Sequence, residues 1–198
     1  NGTASNLQVT SARVYSATVT PSGDGPVSVT VGAGAASDAA GNGNSVSNTV
    51  STTADVTRPT VSLALPGALV NAPFPLTMTF SEAVTGLTLG DIGVTNGTAS
   101  ALTPVSAGVY TATITPTTDG LVTVDFAANG VLDGFGLGNE AAASVTTTAD
   151  LTAPTPTVSL TSTGPGAPYT VTVSFDEDVT GFTLGDITVT NGTLSNFQ

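Results

Sequence analysis

The sequence has no cysteine, histidine, tryptophan or lysine, and its only basic side chains, Arg13 and Arg58, stand against 14 carboxylate residues. Without histidine or cysteine, no side chain titrates unperturbed near neutrality, and neither a thiolate nucleophile nor a soft metal ligand is present. The commonest catalytic and zinc-binding arrangements are therefore excluded. The net charge of −12 also argues against binding to nucleic acid or to an anionic membrane surface.

Long apolar runs are missing as well. No run approaches the roughly 18 apolar residues that a membrane-spanning helix needs, so no such helix is predicted. No window keeps an apolar period of 3.6 residues, because proline and glycine interrupt every long stretch. The lack of cysteine fits both exported proteins without disulfides and cytosolic proteins, and it decides nothing about compartment.

An internal repeat of 95 residues is the most informative feature that is present. The segment Asn1–Ser5, with the sequence Asn-Gly-Thr-Ala-Ser, returns at Asn96–Ser100 and, with one change, at Asn191–Ser195. The same offset aligns Asp24-Gly25 with Asp119-Gly120. A fixed period of this size is the signature of a repeat array. We therefore expect the function to be a property of the array.

Each repeat has the pattern of β-structure, because Thr, Val, Ser and Ala alternate with period two and Gly, Pro, Asn and Asp separate the runs. Seven strands are predicted in the complete repeat, at 60–65, 76–80, 91–95, 98–104, 109–115, 121–126 and 142–148. The alternation predicts an inward-facing set: Val61, Leu63, Leu76, Met78, Phe80, Ile92, Val94, Tyr110, Ala112, Ile114, Val122, Val124 and Phe126. Seven short strands in a repeat of this length predict an all-β fold of tandem immunoglobulin-like sandwiches joined end to end.

The repeat also predicts the domain boundaries. Residues 1–54 would be the C-terminal part of a first repeat, residues 55–149 a complete repeat, and residues 150–198 the N-terminal part of a third. Incomplete sandwiches expose strand edges and half a core. We expect neighbouring repeats of a longer array to complete them. The alternative is that the tail of one copy completes the head of another, which would build a head-to-tail fibre.

Asn-Gly-Thr, at residues 1–3, 96–98 and 191–193, has two interpretations. It is an N-glycosylation sequon, and Asn-Gly is also the commonest pair in a type I′ hairpin, where both residues need positive φ. Because the motif lies between two alternating runs, we favour the hairpin turn.

Several motifs together resemble the bacterial Ig-like domains that occur in tandem in giant surface adhesins and biofilm-matrix proteins. They are the run Phe80–Ile92, its counterpart Phe175–Ile187, the loop Ala36–Asn44, and the Asp-x-Thr-x-Pro motif at residues 55–59 and 150–154. The resemblance covers the whole chain and implies an extracellular or cell-surface location in bacteria. The second loop departs from the first, with Leu137 where the first has Asn42. If that asparagine supports an ion site, the second loop lacks the support.

The carboxylates gather in loops rather than strands. In a seven-strand sandwich, the incoming chain, the loop between strands two and three and the loop between strands six and seven share one pole. This topology brings Asp55, Glu82 and Asp133 together at the first joint, facing Asp24 of the preceding repeat. The matching set at the second joint is Asp119, Asp150 and Glu177, with Asp176 and Asp178 nearby.

Clustered carboxylates repel one another, and a hard divalent cation would relieve that repulsion. Ca²⁺ takes six to eight oxygen ligands in a tolerant geometry, whereas Mg²⁺ is stricter. We therefore expect Ca²⁺ at the joints, held by Asp24, Asp55, Glu82, Asp133, Asp119, Asp150 and Glu177. Aspartate is also a common turn former, and for Asp24, Asp119, Asp38 and Asp133 both interpretations stay open.

Catalysis is not expected. The acidic run Asp176–Asp178 could suggest a glycosidase pair, but such enzymes normally add aromatic platforms for the sugar, and aromatic residues make up 5% of this chain. Only the glutamate of that run recurs in the preceding repeat, as Glu82.

Three functions remain. The first is a structural spacer, the stalk of an adhesin or an extracellular filament, stiffened by Ca²⁺ and in contact with neighbouring repeats of the same or an identical chain. The second is a module that binds a glycan or a protein, for which an exposed aromatic loop residue such as Phe135 would be the sign. The third is an accessory domain of a secreted hydrolase. Matching strands, turns and joints in the two copies favour the spacer.

Overall fold

The computed structural model describes residues 1–196, and within them the protein is all-β. The chain forms two compact units, with the division after Asp150. Within residues 1–196, no helix has the length and apolar character needed to cross a membrane.

The first 54 residues form two antiparallel pairs of strands. Strand β1 (Thr3–Ser11) pairs with β2 (Val14–Thr20), and β3 (Gly25–Val29) pairs with β4 (Val50–Ala54). Their apolar side chains are largely open to solvent: Val29 is 42% exposed, whereas Val124, one repeat later, is fully buried at 0%. The two pairs thus carry the pattern of a sandwich without the strands that would cover its inner face.

Residues 61–149 form a complete two-sheet sandwich. Its strands are β5 (Val61–Ala64), β6 (Leu69–Val70), β7 (Phe74–Phe80), β8 (Ile92–Thr95), β9 (Gly97–Ser106), β10 (Val109–Pro116), β11 (Gly120–Phe126) and β12 (Val145–Ala149). One sheet has the order β5-β7-β10-β9 and the other β6-β12-β11-β8. All seven predicted strands are confirmed. The eighth, β6, is a two-residue strand parallel to β12.

The core lies between the two sheets. Ten of the thirteen residues predicted to face inward are buried in one cluster, and Leu63, Val94 and Tyr110 pack against it while partly exposed. The cluster also contains four residues that the alternation missed: Phe74, Val84, Val131 and Ala149. Phe80 anchors one end, with its ring edge-on to Tyr110 and Phe126 at centroid distances of 5.9 and 5.7 Å.

The hairpin predicted at Asn96-Gly97 is wrong. Strands β8 and β9, on either side of it, belong to opposite sheets, so the motif carries the chain across the sandwich. Within the pair, only Asn96 has the positive φ, at 58°, whereas a type I′ turn needs two. The Asn96 amide donates to the Thr118 carbonyl oxygen at 2.9 Å and its Oδ1 accepts from Thr118 Oγ1 at 2.8 Å. The asparagine therefore ties the crossing to the next turn.

The second unit begins at Leu151 and contains two strands within its described residues. Strand β13 (Pro156–Ser162) and β14 (Tyr169–Phe175) pair antiparallel in continuous register. Phe175 packs edge-on against Phe182 at 5.3 Å. A short 3₁₀ turn at Leu184–Asp186 follows, as its counterpart at Leu89–Asp91 does in the complete repeat.

Candidate metal centre at the first joint

Three carboxylates meet beside the linker that joins residues 1–54 to the complete repeat. Asp55 follows β4, Glu82 follows β7, and Asp133 lies in the long loop after β11. One carboxylate oxygen from each can be chosen so that all three lie within 4.8 Å of one another. Asp133 is buried, at 5% exposure, and the other two are half-buried. Side chains far apart in the sequence thus form one acidic cluster, as the topology predicts.

The linker is fixed to the preceding strands by Asp24. Its Oδ1 accepts a hydrogen bond from the Val56 amide at 2.7 Å, and its Oδ2 accepts one from Thr57 Oγ1 at 2.6 Å. The Thr57 amide also donates to Asp55 Oδ1 at 3.1 Å. Both oxygens of Asp24 therefore hold the linker in place, and Asp24 lies outside the three-carboxylate group.

Arg58 fixes the other side of the linker to the loop that carries Asp133. Its Nε donates to the Gly138 carbonyl oxygen at 2.6 Å and its Nη2 to the Asn139 carbonyl oxygen at 3.1 Å. Nη2 also donates to Asn129 Oδ1. The guanidinium thus gathers three acceptors from the loop, a use that its planar set of donors allows.

The Glu82 loop is attached to the same long loop. Thr85 and Leu132 exchange two backbone hydrogen bonds, of 2.8 and 3.0 Å, which form an isolated β-bridge. At the base of the loop, the Ser81 amide donates to the Thr60 carbonyl oxygen at 2.9 Å. Because backbone bonds hold both loops, the Glu82 and Asp133 side chains approach each other on a fixed frame.

A tight turn holds Asp133 in place. Its Oδ1 accepts from the amides of Phe135 and Leu137, at 2.8 and 2.9 Å, and its own amide donates to the Leu137 carbonyl oxygen at 3.0 Å. Its Oδ2 is buried and has no hydrogen-bond partner among the described residues. A buried carboxylate oxygen without a partner is costly, and a cation bound there would offset that cost.

Asn139 holds the ends of that loop together from inside. It is fully buried, at 0% exposure; its Oδ1 accepts from the Val131 amide at 3.0 Å, and its Nδ2 donates to the carbonyl oxygens of Ala127 and Glu140 at 2.9 and 2.6 Å. Asn44 makes the same three kinds of bond one repeat earlier. The loop shape is therefore a property of the repeat.

The electrostatics of the cluster oppose its ionisation. Loss of hydration raises the pKa of Glu82 above its ordinary value of 4.5, and the negative charges of Asp55, Asp133 and Asp24 raise it further. The hydrogen bonds from Thr57 and Val56 instead lower the pKa of Asp24 below 3.8. The folded joint thus favours the charged form of Asp24 and disfavours the charged form of Glu82.

Neutralising Glu82 should therefore stabilise the metal-free protein. In the folded state Glu82 binds its proton more readily than in the unfolded chain, so metal-free stability should rise as the pH falls from neutral through the raised pKa toward 4.5. Below pH 3.8 the trend should reverse, because the hydrogen-bonded Asp24 is then protonated first in the unfolded chain. Glu82→Gln should raise the melting temperature at pH 7 in chelator and flatten the first trend.

The matched control is Glu140→Gln, which makes the same change in charge outside the three-carboxylate group. Melting curves of both variants between pH 4 and 8, recorded in chelator, make the comparison. If the two variants melted alike at every pH, the charge of Glu82 would not destabilise the folded joint, and the prediction would be contradicted.

This arrangement fits a hard divalent cation. Three carboxylates would supply oxygen ligands and negative charge, and no donor among residues 1–196 competes for the buried Asp133 Oδ2. Ca²⁺ binds such oxygen sets and completes its shell with carbonyl oxygens or water. The set lacks nitrogen and sulfur ligands, which disfavours Zn²⁺ and Cu²⁺.

The other predicted ligands lie as follows. Asp119 and Asp150 belong to the first unit and Glu177 to the second. For these three residues, as for Asp24 and the three-carboxylate group, ion binding remains a prediction. The Asp150 amide donates to the Val70 carbonyl oxygen at 2.9 Å. Phe135, the candidate recognition residue, is 59% exposed in its loop.

Sequence reasoning missed the residues that position the cluster. They are Thr57, Arg58 and Asn139, which bond the linker and the long loop. Their one sequence signal is position, because each lies within a few residues of a predicted carboxylate in a motif of the repeat.

Comparison with known proteins agrees with this architecture. A family model described as a bacterial Ig-like domain matches residues 55–149 and 150–198. No curated protein matches the chain.

Proposed function

Because the chain belongs to the bacterial Ig-like domain family, we propose that it is a structural spacer in an adhesin stalk or extracellular filament, with repeats stiffened by Ca²⁺ at their joints. Domains of this family are generally non-catalytic and typically extracellular or surface-exposed. The proposed partners are neighbouring repeats of the same or an identical chain, whose strands would cover the open faces of residues 1–54 and 151–196.

The acidic cluster at the linker is the observation that carries this proposal. A rigid spacer must restrict bending where two domains meet, and the linker is where Asp55 joins Glu82 and Asp133. A bound Ca²⁺ would link the linker to two loops of the next sandwich. Asp24 adds a hydrogen-bonded attachment to the preceding strands. Bending would then have to break these bonds or displace a ligand.

The surface composition supports a spacer as well. The net charge of −12 favours solubility and limits non-specific association. Neutral Thr, Ser, Asn and Gly fill much of the remaining sequence and offer few groups for tight recognition. Tight, salt-resistant binding of the protein to a defined glycan or protein would instead favour a recognition module.

Calcium should both stabilise and stiffen the protein. An ion that binds only the folded joint stabilises it by mass action, by about 2.7 kcal/mol at 100 times the dissociation constant. For a repeat of this size that corresponds to a rise in melting temperature of roughly 10 to 20 °C. Small-angle scattering of a multi-repeat protein should show a longer, less variable particle in excess Ca²⁺ than in chelator.

The control for this experiment is the Asp55→Ala variant, whose scattering should depend much less on Ca²⁺ because its linker offers the ion no carboxylate. Mg²⁺ at the same concentration should have a smaller effect, because it gives up its own water reluctantly. Profiles of the unmodified protein that coincide in Ca²⁺ and in chelator would refute the stiffening.

A further inference from the structure

We propose that the residue at position 137 decides whether Asp133 binds a divalent cation. Leucine leaves Asp133 Oδ2 free for the ion, whereas an asparagine would donate a hydrogen bond to that oxygen. The inference rests on the calcium joint proposed above and adds the residue that sets the affinity of that joint. It comes from comparing the two copies of one loop within this chain.

The two loops have the same backbone turn. The Leu137 amide donates to Asp133 Oδ1 at 2.9 Å, and the Asn42 amide donates to Asp38 Oδ1 at 2.9 Å. In both loops the aspartate amide donates back to the carbonyl oxygen of that residue at 3.0 Å. The turn therefore needs no particular side chain at this position, and the change from asparagine to leucine leaves it intact.

The second carboxylate oxygen is where the loops differ. Asn42 Nδ2 donates to Asp38 Oδ2 at 2.9 Å, so both oxygens of Asp38 have partners within their own loop. Leucine has no donor, and Asp133 Oδ2 stays buried without a hydrogen-bond partner among the described residues. Compared with the first loop, the second lacks one hydrogen-bond donor and has one more carboxylate oxygen that could bind an ion.

Freeing that atom matters because of its surroundings. Asp133 lies with Asp55 and Glu82 in a group whose carboxylate oxygens approach within 4.8 Å, so a cation there would contact all three residues. An asparagine amide at position 137 would compete with the cation for Asp133 Oδ2. The ion would then have to break a charge-assisted hydrogen bond before it could bind.

An array could contain joints that differ in their dependence on Ca²⁺. Repeats that carry asparagine at this position should hold their aspartate by an internal hydrogen bond, and repeats with leucine should depend on the ion. Joints along one chain could thus differ in calcium sensitivity while sharing one fold. The residue at this single position would set which joints stiffen first as the calcium concentration rises.

The test compares Leu137→Asn with Leu137→Val in the full chain. Calorimetric titration with CaCl₂ should show affinity about 10-fold to 100-fold lower for Leu137→Asn, the cost of displacing a hydrogen bond to a charged group. Leu137→Val, which adds no donor, should bind within about threefold of the unmodified protein, since it leaves Asp133 Oδ2 free. Melting in chelator supplies a second measurement, in which Leu137→Asn should gain about 6 to 20 °C from its new hydrogen bond.

The outcomes separate the two proposals. Weaker calcium binding together with higher metal-free stability in Leu137→Asn alone supports the role of position 137. If the unmodified protein binds Ca²⁺ and both variants bind it equally well, the calcium joint stands and this inference is overturned. If the unmodified protein binds no Ca²⁺, the joint itself is refuted and the inference fails with it.

Discussion

Replacing Asp55 with alanine should weaken calcium binding at the first joint by at least about 10-fold to 100-fold, because even residues behind the ligands of a metal site have effects of that size. In the proposed site Asp55 is the ligand from the linker, and without it the ion would no longer connect the linker to the sandwich. The sandwich itself should stay folded, because Asp55 lies in the linker and outside the buried core. The loss should therefore appear as lower affinity and greater bending.

Asp125→Ala is the matched control. Asp125 lies on β11 opposite Gly93 of β8, where a methyl group added to that glycine would collide with the Asp125 carboxylate. The Asp125→Ala change removes the same charge from the same chain as Asp55→Ala does. Asp125 lies outside the three-carboxylate group. Calorimetric titration of both variants should rank them clearly. Equal affinities would show that the ion binds elsewhere.

Glu82→Ala should weaken calcium binding as Asp55→Ala does, because both carboxylates belong to the proposed site. Asp133→Ala carries an additional risk, since it also removes the two hydrogen bonds that form the turn. Asp55 is thus the cleanest position at which to test the ion.

The fold could be predicted from the sequence because it depends on a local pattern repeated many times. Period-two alternation locates the seven main strands and ten of the buried core residues. Strand β6 was missed because its two residues form a strand only by pairing with β12, 79 residues away. The alternation did not identify Val84 and Val131 as core residues, because they lie in loops that fold over the core rather than in strands.

The candidate site could be predicted in part, for a topological reason. Once the sandwich is assumed, the linker and two particular loops must share a pole, which brings Asp55, Glu82 and Asp133 together. The part played by Asp24 could not be predicted. Whether a carboxylate binds an ion or holds a linker depends on its side-chain geometry, and the bonds of Asp24 to Val56 and Thr57 are visible only in the structure.

At the Asn96-Gly97 turn, the local sequence did not predict which strands pair. Its local sequence is that of a hairpin, yet tertiary pairing sends β8 and β9 to opposite sheets. The alternating runs on both sides are real strands, and the alternation by itself does not say which strands they pair with. Local turn chemistry therefore gave the position of a bend and the wrong connection.

Replacing Asn139 with alanine should lower the free energy of unfolding of the complete repeat by about 3 kcal/mol. The change leaves the Val131 amide and the carbonyl oxygens of Ala127 and Glu140 without their partner inside a buried loop, and each unsatisfied buried group costs about 1 to 3 kcal/mol. Calcium affinity should fall too, since Asp133 lies between the two ends that Asn139 joins.

Asn44→Ala is the internal control for this prediction, because Asn44 makes the equivalent bonds one repeat earlier at a more exposed position. Water can replace those bonds, so its cost should be about 1 kcal/mol or less. Amide hydrogen exchange of β7 and β11 reports the stability of the complete repeat separately from the flanking strands. Asn139→Ala should speed exchange in both strands by roughly 100-fold, the factor that about 3 kcal/mol implies, whereas Asn44→Ala should leave it nearly unchanged. A loss of protection confined to residues 127–140 would contradict the prediction, because it would mean that the loop opens without weakening the sandwich.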